Sequence, residues 1–170
     1  MRDTAAGNRQ YYLKPGYIYI SLEAVEITTV LGSCVAVCLF DGNLQFGGMN
    51  HYLLAKKPAH GETSSRYGDV SIGFLIKSFL EYGSKLRDLS ARIIGGAYMR
   101  GNNDSKRISE DNVNIAELML NKYGIRIVSR VVGGVAGRKI TFDSWNDQVR
   151  ISTVNEVKSD EFMWVTHGTD

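Results

Sequence analysis

The sequence predicts an α+β fold, a layered sandwich of mixed and antiparallel β-sheet carrying two to three helices. Segments rich in β-branched and aromatic residues recur along the chain, and two stretches place apolar residues at helical spacing. Their order mixes hairpins with helices, whereas a parallel α/β sheet would alternate strand and helix regularly.

Regular structure is expected from about Tyr11. Tyr17–Leu22, Val35–Phe40 and Gln45–Leu54 have strand composition. In the second of these Val35, Val37 and Leu39 alternate with Cys34, Ala36, Cys38 and Phe40, so both faces are apolar and the strand is expected to be central. The loop Ala55–Gly61 leads to a helix marked by Ile72, Leu75, Ile76, Phe79 and Leu80 and stopped by Gly83. Ala91–Ala97 reads as a strand, and the polar run Arg100–Lys106 as a mobile loop. A second helix is expected with Ser109 as its cap, Glu110 and Asp111 in the first turn, Val113, Ala116, Leu120 and Tyr123 as its apolar stripe, and Gly124 as its stop. Strands follow at Ile125–Val132, Lys139–Phe142 and Val149–Val154.

With 170 residues, 44% of them hydrophobic and 22% charged, the chain is expected to form one domain over 1–170. Internal repeats and low-complexity linkers are absent from it. No apolar run is long enough to span a bilayer, and Met1–Gly7 lacks the apolar core of a secretory signal, so no membrane insertion and a cytoplasmic location are expected. A net charge of +2 argues little for nucleic acid. The basic residues Arg126, Arg130, Arg138 and Lys139 fit a solvated face better than a nucleic-acid surface.

Both cysteines fall in one strand segment, four residues apart. Four strand steps separate their Cα atoms by about 13 Å, beyond the limit of about 7 Å for a disulfide, so both are expected as thiols. Cys34, Cys38, His51, His60 and His167 lack the short paired spacings of structural zinc sites, so neither metal nor cofactor is expected.

The chemistry centres on Cys34 and His51. If Gly42–Asn43 form a two-residue turn between paired strands, Cys34 lies directly opposite His51 with Cβ atoms about 4.5–5.5 Å apart. That distance lets a thiol share its proton with an imidazole, as cysteine hydrolases require. Gly32 and Ser33 interrupt the strand pattern before Cys34, allowing its thiol and amide to face a pocket, and Gly47–Gly48 before His51 leave room for substrate or a bulge. Cys38 has no such context and reads as inert core; His60 and His167 read as solvated. No acidic residue is evidently placed to orient His51, which leaves a hydroxyl, Thr28 among several, or a backbone carbonyl. The glycines at Gly95–Gly96 and Gly133–Gly137 do not fit a phosphate loop, because the latter leads into a strand rather than a helix.

The run Thr28–Asp41 with Gly47–His51 resembles the CheD family, chemoreceptor glutamine deamidases of bacterial and archaeal chemotaxis. Lys14-Pro15-Gly16, Tyr67-Gly68-Asp69, Gly95-Gly96-Ala97, Asn112, Gly133-Gly134 and Gly137-Arg138-Lys139 are similar to that family's landmarks, so the resemblance spans about 12–153 and leaves short extensions at both ends. It implies a cysteine-deamidase-like fold and a catalytic set of Cys34, His51 and Thr28, with Thr29 as the competing assignment for the threonine. Gly32 and Ser33 then lie beside the oxyanion and substrate. The implied reaction converts receptor glutamines to glutamate, and the same chemistry would hydrolyse glutamyl methyl esters. The implied partners are chemoreceptor cytoplasmic helices and a CheC-type phosphatase; an adaptor without catalysis is the alternative, and the chain alone is expected as a monomer. Ala55 stands where the family often has proline, and Ile108–Asn112 lacks the family's usual glycine and arginine, departures that bear on partner docking.

Overall fold

In the computed structural model, residues 9–157 are described. His167 and the tail beyond residue 157 lie outside them. Nine strands and two α-helices follow in the order β1 (Arg9–Tyr12), β2 (Ile18–Ser21), β3 (Val25–Leu31), β4 (Val35–Asp41), β5 (Phe46–Asn50), α1 (Gly68–Glu81), β6 (Leu89–Gly95), α2 (Asn103–Lys122), β7 (Arg126–Val132), β8 (Ala136–Asp143) and β9 (Val149–Glu156), with a short 3-10 turn at Leu86–Asp88. One sheet has the order β1-β3-β8-β9 and the other β2-β5-β4-β6-β7. β1–β3 and β6–β7 pair in parallel and the remaining pairs are antiparallel, so the α+β class is observed.

The two apolar faces of β4 explain the layering. Val35, Val37 and Leu39 pack with Ile72, Leu75, Ile76 and Phe79 of α1 and with Ile115, Ala116 and Leu120 of α2. Cys34, Ala36 and Cys38 point the other way, into a second core with Val25, Ile27 and Leu31 of β3 and Ile140 and Phe142 of β8. Helices, the five-stranded sheet and the four-stranded sheet thus form three layers about β4.

Several expectations need correction. The β4–β5 connection is a four-residue loop, with Asp41 paired to Phe46, rather than a two-residue turn at Gly42–Asn43. Asp41 sets this loop: its Oδ1 accepts from the amides of Asn43 and Leu44, its carbonyl accepts from the Gln45 amide, and Gln45 takes a left-handed φ of 59°. α2 begins two turns before its expected start. Asn102 caps it by accepting from the Ser105 amide at 2.9 Å, the supposedly mobile run forms its first turn, and Ser109 lies buried in its interior. Strands β1 and β3 were not anticipated as elements; β3 lies in the interior and carries part of the site.

Gly47 and Gly48 neither bulge nor hold a space for substrate. A Cβ on Gly47 would come 3.0 Å from the Phe142 ring, and one on Gly48 would come 2.8 Å from Ile20. They are small because neighbouring layers press against β5 on both sides.

Candidate active site

The corrected loop displaces the β4–β5 pairing by two residues. Val35 bridges Tyr52 and Cys38 pairs with Met49, which sets Leu53 opposite Cys34 and Ala36 opposite His51. A shift of two preserves the face, because strand side chains alternate with a period of two. Cys34 and His51 are therefore diagonal neighbours on the inter-sheet face. Both line one cavity of about 220 Å³, with Gly32, Ser33, Gly137, Val154 and Asn155 among its walls. Cys34 is 6% exposed and His51 1%, so this cavity is the route to both.

The segment around Cys34 is clamped carbonyl by carbonyl. The Gly32 carbonyl accepts from the Ala97 amide at 3.0 Å and the Cys34 carbonyl from the Gly96 amide at 2.9 Å. Between them, the Ser33 carbonyl accepts from Asn112 Nδ2 at 3.0 Å. Gly95 makes this approach feasible: its φ is 121°, and a Cβ there would lie 2.3 Å from the Cys34 carbonyl oxygen. Gly95→Ala is accordingly expected to lower stability by about 3 kcal/mol or more, measured by urea unfolding, since the backbone must both strain and retreat from the cysteine loop.

The His51 backbone is held by the turn that precedes β2. Its amide donates to the Tyr17 carbonyl at 3.1 Å and its carbonyl accepts from the Gly16 amide at 2.7 Å. The ring is held from the opposite sheet. Thr29 Oγ1 lies 2.7 Å from His51 Nδ1 and donates its single hydrogen to the Leu13 carbonyl at 2.8 Å. Oγ1 can then act toward the ring only as an acceptor, so the proton sits on Nδ1 and the lone pair on Nε2. Nε2 is buried and forms no hydrogen bond with any described residue. Burial pushes the His51 pKa down to about 4, favouring the neutral ring.

Thr28 is on the other face of β3, where its hydroxyl lies 3.0 Å from that of Thr141. Thr29, the competing assignment, is therefore the threonine whose hydroxyl faces the ring, and Thr28 is not. The alternation of buried Val25, Ile27, Thr29 and Leu31 is the sequence signal that would have found it. Cys38 is fully buried away from the cavity, and desolvation, followed by the nearby Asp147 charge, raises its thiol pKa far above the usual range. His60 is exposed in its loop.

Two of the late basic residues are engaged within the fold. Arg130 pairs with Glu117 at 2.8 Å, and half-buried Arg138 donates to the carbonyls of Gly95 and Gly133 at 3.2 and 2.7 Å. Gly133 and Gly134, both at positive φ, turn the chain between β7 and β8. Among the described residues no group of His, Cys, Asp and Glu is arranged to hold a metal ion, and no helix is long and apolar enough to cross a membrane. A larger groove of about 450 Å³ runs beside α2, among Leu54, Ile108 and Leu118, and contains neither the thiol nor the imidazole.

The family model described as CheD chemotactic sensory transduction matches residues 53–153. The chain is 36% identical over 149 residues to a probable chemoreceptor glutamine deamidase CheD of Sulfurimonas denitrificans, covering 86% of this chain and 96% of that protein. It is 40% identical over 139 residues to a probable chemoreceptor glutamine deamidase CheD 1 of Anaeromyxobacter dehalogenans, covering 80% of each. With the Sinorhizobium medicae protein named probable chemoreceptor glutamine deamidase CheD, identity is 34% over 166 residues, 96% of this chain and 90% of the relative. A family model matched over residues 53–153, together with relatives 34–40% identical over 80% or more of both chains, shows that the chain belongs to the CheD family.

Proposed function

We propose that the protein is a chemoreceptor glutamine deamidase acting through Cys34 and His51. The observation that carries this reading is the imidazole itself: Thr29 fixes its tautomer from one side, and an unpartnered Nε2 is left in the cavity that Cys34 lines. A cavity of about 220 Å³ suits one extended side chain better than a nucleotide-sized ligand, whose pockets run to about 300–1,000 Å³.

In this mechanism a receptor glutamine inserts its carboxamide. Nε2 takes the Cys34 proton as Sγ attacks the amide carbon, and the developing oxyanion is met by the Cys34 amide within the Gly32–Cys34 loop. The imidazolium then protonates the leaving nitrogen, the C–N bond breaks, and ammonia departs, leaving a thioester on Cys34. His51 next takes a proton from water as it attacks the thioester; the C–S bond breaks, the proton returns to sulfur, and glutamate is released. Because burial favours the neutral ring, His51 enters the reaction as a base, and the proton moves with the attack. A glutamyl methyl ester would follow the same path with methanol as the leaving group.

Intact-mass analysis of receptor cytoplasmic fragments tests this function. Wild type should convert amide to acid and Cys34→Ala should not; a wild type that converts no receptor glutamine sinks the reading. Docking to a CheC-type phosphatase is separable from catalysis, and Cys34→Ala is expected to retain it in a pull-down with the purified phosphatase.

The threonines give a sharper prediction. Thr29→Val removes the acceptor for Nδ1 and should lower kcat roughly 10- to 100-fold, because a misdirected ring transfers the proton poorly. Thr28→Val should remain close to wild type in the same deamidation assay.

A further inference from the structure

α2 presents a buried polar ridge to the nucleophile loop. Ser105, Ser109 and Asn112 lie at the spacing i, i+4, i+7, which shares one helix face, and each is at most 1% exposed. Ser105 Oγ accepts from the Met99 amide at 2.8 Å, Ser109 Oγ donates to the Ala97 carbonyl at 2.5 Å, and Asn112 Nδ2 donates to both the Ser33 and Leu53 carbonyls, at 3.0 and 2.9 Å. The Asn112 carbonyl also accepts from the Tyr52 hydroxyl. One residue therefore ties the peptide preceding Cys34 to the segment that follows His51.

The Ser33 carbonyl and the Cys34 N–H belong to the same peptide unit. In a planar trans peptide the two point in opposite directions, so fixing the carbonyl toward α2 fixes the direction of the N–H away from it. Hydrogen bonding at the carbonyl also polarises the peptide and strengthens its N–H as a donor. Of the three clamped carbonyls in this loop, those of Gly32 and Cys34 are held by backbone amides, while Ser33 is held by a side chain. The aim of the Cys34 amide thus depends on Asn112.

We infer that Asn112 is a positioning residue that orients the Cys34 amide as an oxyanion donor, acting through the Ser33 carbonyl and without touching substrate. This rests on the deamidase reading above. A purely structural asparagine would contribute two hydrogen bonds to folding and nothing specific to turnover. The two roles separate because thiol alkylation needs the Cys34–His51 pair but no oxyanion donor. The His51 ring is held by Thr29 and its backbone by the Gly16–Tyr17 turn, bonds in which Asn112 takes no part.

The test compares wild type, Asn112→Ala and the isosteric Asn112→Asp, which keeps the shape but loses both amide hydrogens. Each is assayed for deamidation of a receptor fragment, for iodoacetamide alkylation of Cys34, and for folded fraction by circular dichroism. The expected result is a kcat lowered about 100-fold in folded variants, with KM little changed and Cys34 alkylated at nearly the wild-type rate. A wild-type kcat in either variant overturns the inference, as does a loss of alkylation parallel to the loss of turnover. Loss of activity that follows loss of folded protein marks Asn112 as structural alone and also overturns it. A wild type that forms no acid removes the deamidase reading and this inference with it.

Discussion

Cys34→Ala is expected to abolish deamidation, lowering kcat by at least about 10⁴-fold, while Cys38→Ala retains it. Loss of a nucleophile that forms the covalent intermediate leaves only binding and oxyanion stabilisation, which recover a small part of the rate. The contrast with Cys38 is the informative part, because Cys34 immediately precedes the strand that carries Cys38 and both thiols belong to the same inter-sheet core. They differ in what surrounds them. Cys34 lines a cavity that His51 also lines, whereas Cys38 is fully buried outside it, where desolvation and then the Asp147 charge favour the neutral thiol. Cys38→Ala should cost about 1 kcal/mol of stability through the small void it leaves, readable as a lower urea midpoint, with deamidation unchanged.

His51→Gln is expected to lower kcat by about 10³-fold or more and to alter the acid limb of stability. Glutamine keeps polarity and approximate size but cannot accept and return the proton. In the unfolded chain the imidazole binds a proton near pH 6.5; in the folded protein it does so only near pH 4, because burial penalises the charged ring. Between those values the unfolded state holds more protons, so wild-type stability falls as pH drops from 6.5 toward 4 and is unaffected by this group above 6.5. The shift corresponds to about 3 kcal/mol once pH lies below 4. His51→Gln lacks this penalty, so thermal unfolding of the two proteins should converge as the pH is lowered from 7 to 4. A wild-type-to-variant difference that stays constant across that range would contradict the buried neutral ring.

Much of the middle layer was legible because each element carries its own period. The double-faced run of β4, the apolar stripe of α1 and the glycine stop of α2 are local signals, and they were read with ends close to those observed. The start of α2 was misread because Ser109 has capping chemistry; its hydroxyl instead bonds to the Ala97 carbonyl from within the helix. A residue type suited to two environments cannot choose between them without its tertiary partner.

The site was legible in part for a comparable reason. The two-residue turn at Gly42–Asn43 was wrong, since the Asp41 side chain organises a longer loop, yet the resulting shift was even and left Cys34 and His51 on one face. Thr29 was harder to see because it belongs to the other sheet. Its meeting with His51 depends on how two sheets stack, as does the meeting of Asn112 with the Ser33 carbonyl on the stacking of α2 against β4. No local spacing records those approaches. Thr28 and Thr29 are chemically equivalent neighbours, and only the inward alternation of Val25, Ile27 and Leu31 distinguishes them.

The activation of Cys34 by His51 is tested most directly by the pH dependence of Cys34 alkylation with iodoacetamide, followed by peptide mass in wild type and His51→Gln. An imidazole that remains neutral down to about pH 4 should keep wild-type Cys34 reactive at pH 6, with the rate falling only toward pH 4. In His51→Gln the rate should rise only as pH approaches the ordinary thiol value of about 8.5 or above. Identical pH profiles in the two proteins would show that the sulfur gives up its proton without the ring, and would contradict the proposed mechanism.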